Sequence, residues 1–368
     1  MNRRLAFVLV LALAGPHPAF AQVVEQENTK FSGFVDLRFR DVNSSLKGQG
    51  RGAESGFLME DAAFYLQHSS GRISLLIDLP FSRQKETVAG SGGPQTPFYK
   101  SSGPDLEFAT RKAQVVGSYQ VRENFKLSLG QFDTLFGYEV NDSRDRFFGQ
   151  TGLLYNDALP VTHVGLLAEW TLPLLTAKLM AVNPNGRGSR DDVDAQGQST
   201  TNGEDNTEYG ATVGGTWGPA RAQVGYLTRP RLAYDSKRSR RTLLDVVAGV
   251  TIFQKLSLDA EWVLVNDPAK DLELDGDFDT GGEGHGYLLH ATYQLNDLWR
   301  LGARLEYTDQ HLGLLFETEK TWALGAHYNL QSDANLRAEY IEYDLESVLS
   351  SVPSQKLRVF SIGAMLTF

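Results

Sequence analysis

The sequence predicts an all-β fold, a transmembrane antiparallel up-and-down β-barrel of about 16 strands. Three observations predict it. The chain closes on an alternating segment, in which Phe360, Ile362, Ala364, Leu366 and Phe368 interleave with Ser361, Gly363, Met365 and Thr367. A period of two sets apolar side chains on one face of a strand and small or polar ones on the other. Segments of this kind recur from Phe31 onward, joined alternately by short and long connections. An export signal stands at the front, and no later apolar run reaches the roughly 18 residues that a membrane helix needs.

In the signal, Arg3 and Arg4 form a charged start, Leu5 to Ala14 an apolar stretch and Ala19-Phe20-Ala21 a small-x-small site. Residues 1–21 are therefore expected to be cleaved before Gln22, leaving 22–368 as one barrel domain. Losing two arginines takes the formal charge from −10 to −12. The mean hydropathy is −0.29. A membrane protein is this polar only if each strand wets one face, as a barrel does. The absence of Cys rules out disulfides and thiol catalysis, so stability must come from sheet closure or a large core. Composition alone leaves a two-domain soluble β protein open.

Strands are expected near 30–40, 57–68, 71–82, 106–120, 124–134, 161–170, 174–182 and 207–217. They continue near 220–228, 242–253, 255–266, 285–295, 297–308, 319–330, 333–345 and 356–368. Connections after even-numbered strands are tiny, such as Ser69-Ser70, Gly218-Pro219, Asn296 and Gln331-Ser332. Those after odd-numbered strands are long: 41–56, 83–105, 135–160, 183–206, 229–241, 267–284, 309–318 and 346–355. Short periplasmic turns and long extracellular loops are the asymmetry of outer-membrane barrels, and a soluble sandwich has no reason to show it. Trp170, Trp217, Trp262, Trp299 and Trp322 fall on the apolar face near strand ends, where amphipathic rings meet the membrane–water boundary.

On this register the inward cations are Arg38, Arg40, Arg72, Lys112, Lys126, Lys178, Arg221, Lys255, Arg300, Arg304, Lys320, Arg337 and Arg358. Inward acids are fewer: Asp36, Asp78, Asp245, Asp259, Glu261, Glu306 and Glu339. A charge facing lipid would cost about 2–4 kcal/mol at the midplane, so inward placement is the expectation. The wall then reads as net basic, with an anion preference. Its expected pore-lining set is Arg38, Arg40, Arg72, Lys112, Lys126, Arg221, Arg300, Arg304, Glu306 and Arg337.

One stretch reads Leu129-Gly130-Gln131-Phe132-Asp133-Thr134-Leu135-Phe136-Gly137-Tyr138-Glu139, followed later by Leu159-Pro160-Val161-Thr162-His163-Val164-Gly165. It resembles the OmpL-like family of outer-membrane β-barrel porins. The likeness lies in a Gly-Gln-Phe strand, then Gly-x-Glu, then Pro-x-Thr-His-x-Gly, and it covers about a tenth of the chain. Leu135-Phe136 stands where family members often carry Thr-Pro. The resemblance implies a diffusion porin and assigns no solute and no catalytic role. By analogy with porins, the loop 135–160 folds into the barrel and narrows it. Its charges Glu139, Asp142, Arg144, Asp145, Arg146 and Asp157 would then set a transverse field that passes hydrated polar solutes. His163, at a strand start, reads as structural.

Other motifs carry less. Asp271, Glu273, Asp275 and Asp277 alternate around Gly276 and could wrap a hard cation, but position 12 of this loop is Gly282 rather than Glu. The basic stretch Arg229, Arg231, Lys237, Arg238, Arg240 and Arg241 suits lipopolysaccharide phosphates better than nucleic acid. No Gly-x-Ser-x-Gly elbow and no His-Glu-x-x-His pair is present, so neither an enzyme nor a cofactor is expected. Expected partners are outer-membrane lipid and lipopolysaccharide, small hydrophilic solutes, and the barrel-assembly machinery through Phe368. A homotrimer is open. Two other readings stay open: an adhesive or structural barrel with a plugged pore, and an outer-membrane lipid hydrolase. The loop pattern sets Ser70 and Asn296 on the periplasmic side and Gly92, Ser199 and Asp275 outside. Single cysteines placed at these positions in the thiol-free chain are expected to label on intact cells only in the second group.

Overall fold

The computed structural model describes residues 25–26, 28–46, 51–83, 106–109, 112–183, 207–231, 239–267, 282–309, 316–347 and 354–368. The export signal, the acidic stretch Asp271, Glu273, Asp275 and Asp277, and residues 232–238 of the basic loop lie outside them. Sixteen strands close an antiparallel barrel. They are β1 Thr29–Leu46, β2 Arg51–Ser70, β3 Ile73–Arg83, β4 Gln114–Arg122, β5 Phe125–Asp133, β6 Thr162–Thr171, β7 Thr176–Val182 and β8 Glu208–Trp217. The circuit continues through β9 Ala220–Arg231, β10 Ser239–Ile252, β11 Leu256–Asp267, β12 Gly282–Gln294, β13 Trp299–Asp309, β14 Phe316–Gln331, β15 Ala334–Ser347 and β16 Gln355–Thr367. Each pairs with its sequence neighbour, and β16 returns to β1 from Gln355↔Leu46 to Thr367↔Phe34. Closure leaves no free edge, so backbone hydrogen bonds are satisfied between strands. Two short segments, Glu25–Gln26 and Leu106–Phe108, pair with the ends of β1 and β3.

All sixteen expected strands are present, with differences at their ends. β1 and β2 pair as far as Ser45↔Arg51, and β9 and β10 as far as Arg231↔Ser239. Both ends of the first and fifth long connections therefore extend the flanking strands, because polar residues prolong a ladder once apolar ones have started it. The fourth expected strand, 106–120, is broken: Lys112 and Ala113 turn back on the Ala109 carbonyl (2.8 and 3.1 Å). Lys112 sits in that turn. Arg72 and Lys255 sit in tight turns at the opposite end and are exposed, so neither belongs to the wall. Lys320 and Arg358 share the outward parity of Trp322 and Phe360. They lie beyond the apolar band, where Arg358 pairs with Glu342 at 2.8 Å and water reaches them.

Elsewhere the alternation holds. Leu129 is 66% exposed and Leu289 and Leu305 are each 55% exposed, forming an apolar outer band. Ring pairs mark its two margins: Trp299–Tyr328 and Phe125–Trp170 near the short turns, Tyr287–Tyr307 nearer the loops. One irregularity alters the inner face. Asp36 pairs with Asp61 but Leu37 pairs with Met59, so Glu60 is a bulged residue. A bulge turns two successive side chains to the same side. Glu60 and Asp61 are both buried inside the barrel.

The seam is closed by the last residue. The Phe368 N–H donates to the Gly33 carbonyl (3.0 Å) and the Gly33 N–H to the Phe368 carbonyl (2.8 Å). The Phe368 ring packs on Phe31 and Phe64 (6.4 and 5.9 Å between centroids). A Cβ at Gly33 would meet that ring and the Ala63 carbonyl, which explains the glycine. Each aromatic pair contributes about 0.5–1.5 kcal/mol. Deleting Phe368 removes the ring and one rung of the closing ladder, and is expected to lower the heat-modifiable folded fraction in outer membranes. An unchanged folded yield would show that the seam closes without it.

Candidate functional site

The connection between β5 and β6, residues 134–161, runs inside the barrel. Its backbone is irregular, and backbone polar groups inside a sheet cylinder need partners. Inward side chains of the wall supply them. The Gly137 N–H donates to Asp245 (2.7 Å) and the Tyr138 N–H to Glu261 (3.0 Å). The Gly149 N–H donates to Glu339 (2.9 Å). On the acceptor side, Arg337 donates to the Ser143 carbonyl (3.0 Å) and Arg304 to the Gln150 carbonyl (3.1 Å). The His327 Nε2 lies 2.7 Å from the Phe147 carbonyl, and the two rings stack at 4.1 Å.

The Gly137-Tyr138-Glu139 motif has a local reason. Gly137 has a φ of +91°, and a Cβ there would overlap the Leu159 side chain. Only glycine takes that conformation and that approach without strain. Glu139 accepts from Arg304 (2.5 Å) and from the Gly152 N–H (2.5 Å), so one carboxylate ties two parts of the loop to the wall. Arg304 also forms an ion pair with Glu306 at 3.1 Å. At Gly149 and Gly152 the backbone passes so close to Arg38 and Glu306 that a Cβ would overlap them.

Apolar groups finish the anchoring. A five-residue helix, α1 Leu153–Asp157, buries Leu154 and Tyr155 in a cluster with Phe136, Leu159, Val263 and Leu288. Phe147 and Phe148 pack on Ala323, Ile341 and Val359 on another part of the wall. The stem is tied by Asn141, which donates to Asp133 (2.7 Å) and to the Val161 carbonyl (2.9 Å) and accepts from Tyr155. His163 is fully buried between Phe132 and Phe136, in keeping with a structural role.

The wall residues chosen from sequence are thus brought together, but mostly as clamps. Arg38 bridges Asp36 (2.7 Å) and Glu339 (2.9 Å), and Arg40 pairs with Glu60. Arg300 lies over the Phe147 ring at 4.9 Å. Arg38, Arg40, Arg304, Glu306 and Arg337 are buried. Arg221 and Lys126 stay more open. Arg221 pairs with Asp259 at 2.6 Å with half of its side chain exposed, and Lys126 with Glu169 at 3.0 Å. Within the loop, Arg146 reaches Ser143 (2.8 Å) and lies 3.7 Å from Asp61, whereas Asp145 is exposed. The Asp157 side chain is outside the described set.

Among the buried described residues, twelve carboxylates stand against five guanidiniums, an acidic balance where the sequence reading has a net basic wall; part-exposed cations such as Arg221, Arg144 and Lys126 lie outside that count. Sequence alternation missed Glu60 and Asp61, because a bulge breaks it. Two successive acids in an otherwise alternating segment were the available sign. Asp245, Glu261 and Glu339 accept from loop amides, a demand no strand pattern reveals.

A small cavity of about 10 Å³, room for about one water, remains between the loop and β1–β3, lined by Phe34, Asp61, Ala63, Tyr65, Asp78, Pro80, Lys112, Asn141 and Asp142. At its rim Arg144 donates to Asp142 (2.6 Å) with its guanidinium 4.0 Å from the Tyr65 ring centre, and Tyr65 donates to the same carboxylate (2.9 Å). Burial pushes the Asp142 carboxyl up, but the hydrogen bonds and charge of Arg144 outweigh it and hold the group below the usual range. The exposed neighbour Asp145 is pushed up by partial burial and by the Asp142 charge. On acidification Asp145 therefore loses its charge before Asp142 does.

The model of the putative beta-barrel porin-2, OmpL-like family matches residues 28–368. Comparison with curated protein sequences finds no match. Among solved structures, the chain is similar to the outer membrane channel DcaP of Acinetobacter baumannii (TM-score 0.60, 12% identity, covering 92% of this chain and 97% of that one). It is also similar to an anion-selective porin from Comamonas acidovorans (0.59, 13% identity, 92% and 99%). A third is the trimer form of OmpT, an outer membrane protein of Vibrio cholerae (0.54, 16% identity, 93% and 100%). At these identities the likeness is one of fold.

Removing one partner of a buried ion pair costs about 3–5 kcal/mol. Glu139→Ala is expected to loosen the loop by a cost of that order, read as faster proteolytic cleavage within 134–161 of the folded, detergent-solubilised barrel. An unchanged cleavage rate would show that the loop holds without this clamp.

Proposed function

The chain belongs to the putative beta-barrel porin-2, OmpL-like family, and from that premise we propose that it lets small hydrophilic solutes and ions diffuse passively through the barrel. The family and fold are those of outer-membrane porins. The observation that carries the reading is a charged loop held across a polar lumen, inside a cylinder whose outer band is apolar. Barrels of 16–18 strands are wide enough to hold an aqueous channel. Here the loop takes up much of that width. What passes is then sieved by the loop and biased by the charges left facing water, among them Arg221, Lys126, Arg144 and Asp145. In so narrow a passage a permeating ion stays within one Debye length, about 8 Å near physiological salt, of the walls.

The reading includes cleavage before Gln22, insertion by the assembly machinery through Phe368, lipopolysaccharide around the loop end, and a homotrimer. The last is supported by the trimeric relative of the same fold. It assigns no catalysis. One observation favours a second reading. The loop packs on well-separated parts of the wall, at Asp245 and Glu261 and again at Ile341 and Val359, as a plug in an adhesive or structural barrel would.

Planar-bilayer recording separates the two. The purified barrel is expected to give discrete steps, and its reversal potential in a salt gradient is expected to lack the anion bias that a basic wall would produce. Absence of steps from folded protein would favour the plug, and release of fatty acid from lipid would favour a hydrolase.

A further inference from the structure

One arginine on the inner wall has no acceptor. Arg300 stands near the start of β13, just past the short turn from β12, with its guanidinium over the Phe147 ring at 4.9 Å. Two residues on, a Cβ at Gly302 would run into the same ring, which fixes the inward parity of this strand. Arg38, Arg40, Arg146, Arg221, Arg304 and Arg337 each donate to an acid, a hydroxyl or a loop carbonyl. Arg300 forms no hydrogen bond and no ion pair among the described residues. Its Nε is buried, while the side chain as a whole is partly exposed, so the terminal nitrogens reach the lumen.

Its neighbours are committed elsewhere. Gln294, opposite on β12, donates to the Asn296 and Trp299 carbonyls (2.5 and 3.4 Å). His327, opposite on β14, meets the Phe147 carbonyl. Arg337 follows on the same rung, two strand spacings or about 10 Å away. It donates to the Ser143 carbonyl and to Asn335.

A carboxylate in this position would take up a proton. A guanidinium cannot shed one, so Arg300 stays charged and its donors stay unmatched. With one face against an aromatic ring, the group offers its edge, and two terminal nitrogens in one plane match the two oxygens of a planar anion. The surroundings set the charge of that anion. One guanidinium is uncommitted and no second lies beside it, which suits a single negative charge rather than the two of a phosphate. Phe147 and Gly302 add an apolar flank. We propose that Arg300 anchors a subsite for a small organic monocarboxylate, held by a pair of hydrogen bonds beside the Phe147 ring at the short-turn end of the lumen. Once bound, the ligand cancels the Arg300 charge, so the subsite adds no standing anion bias to the interior. The inference goes beyond the porin reading: binding needs the folded barrel and not conduction.

Saturation-transfer proton NMR with sodium acetate tests it on the folded, detergent-solubilised protein. The natural chain is expected to transfer saturation to the acetate methyl group, with a signal that levels off as acetate rises. Absence of a saturable signal would overturn the proposal, whether or not the barrel conducts. Arg300→Gln removes the charge and the fork, and is expected to bind acetate about tenfold more weakly or worse. Arg300→Lys keeps a point charge without the fork, and is expected to fall between the two. Binding equal to that of the natural chain in either variant, each checked for folding by heat-modifiable migration, would overturn the assignment to this fork. Competition sets the ligand class. Formate is expected to displace acetate at lower concentration than inorganic phosphate does, and the reverse order would overturn the monocarboxylate.

Discussion

An irregular segment inside a barrel must find partners for its backbone, and that need organises the interior of this protein. In the sheet, closure gives each of the sixteen strands a neighbour on both sides. Inside, the loop from 134 to 161 brings N–H and carbonyl groups that no strand can satisfy. Asp245, Glu261 and Glu339 accept its amides, and Arg304, Arg337 and His327 meet its carbonyls. Glu139 does the same from within the loop. Part of the acid content of the interior follows from this duty; other acids, such as Asp36, Glu60 and Asp259, pair with wall arginines instead.

That duty separates two kinds of charge which look alike in a sequence. Arg38, Arg304 and Arg337 are buried in contacts with acids or loop carbonyls, so their fields are largely cancelled within a few ångströms. They set where the loop lies and hence the width of the passage. Arg221, Lys126 and Arg144 keep part of their surface toward water. In the proposed channel, steric and electrostatic selection would therefore rest on different residues, although both sets are basic and inward.

The glycines near the loop follow the same logic. Gly137 turns the chain through a left-handed conformation just where two wall carboxylates receive successive amides. Gly149 and Gly152 let the backbone come against Arg38 and Glu306. A side chain at either place would lift the loop off its anchors. Phe147, Phe148 and Leu154 then exclude water from the clamps, which strengthens them.

Strand number, order and the outward face were legible in the sequence, because a strand has a fixed period of two and a barrel imposes it sixteen times. Trp299, Trp322 and Leu305 face outward as that period requires. The Gly137-x-Glu139 motif marked the loop that enters the lumen. The period could not reveal Glu60 and Asp61 turning inward together, since a bulge is a defect in pairing between two strands and not a property of either. Nor could it distinguish Arg304, clamped on Glu139, from Arg221, open to water, or place Lys320 and Arg358 beyond the apolar band. Those distinctions depend on where a distant loop comes to rest and how high each strand rises, and both are decided only when the sheet closes around its contents.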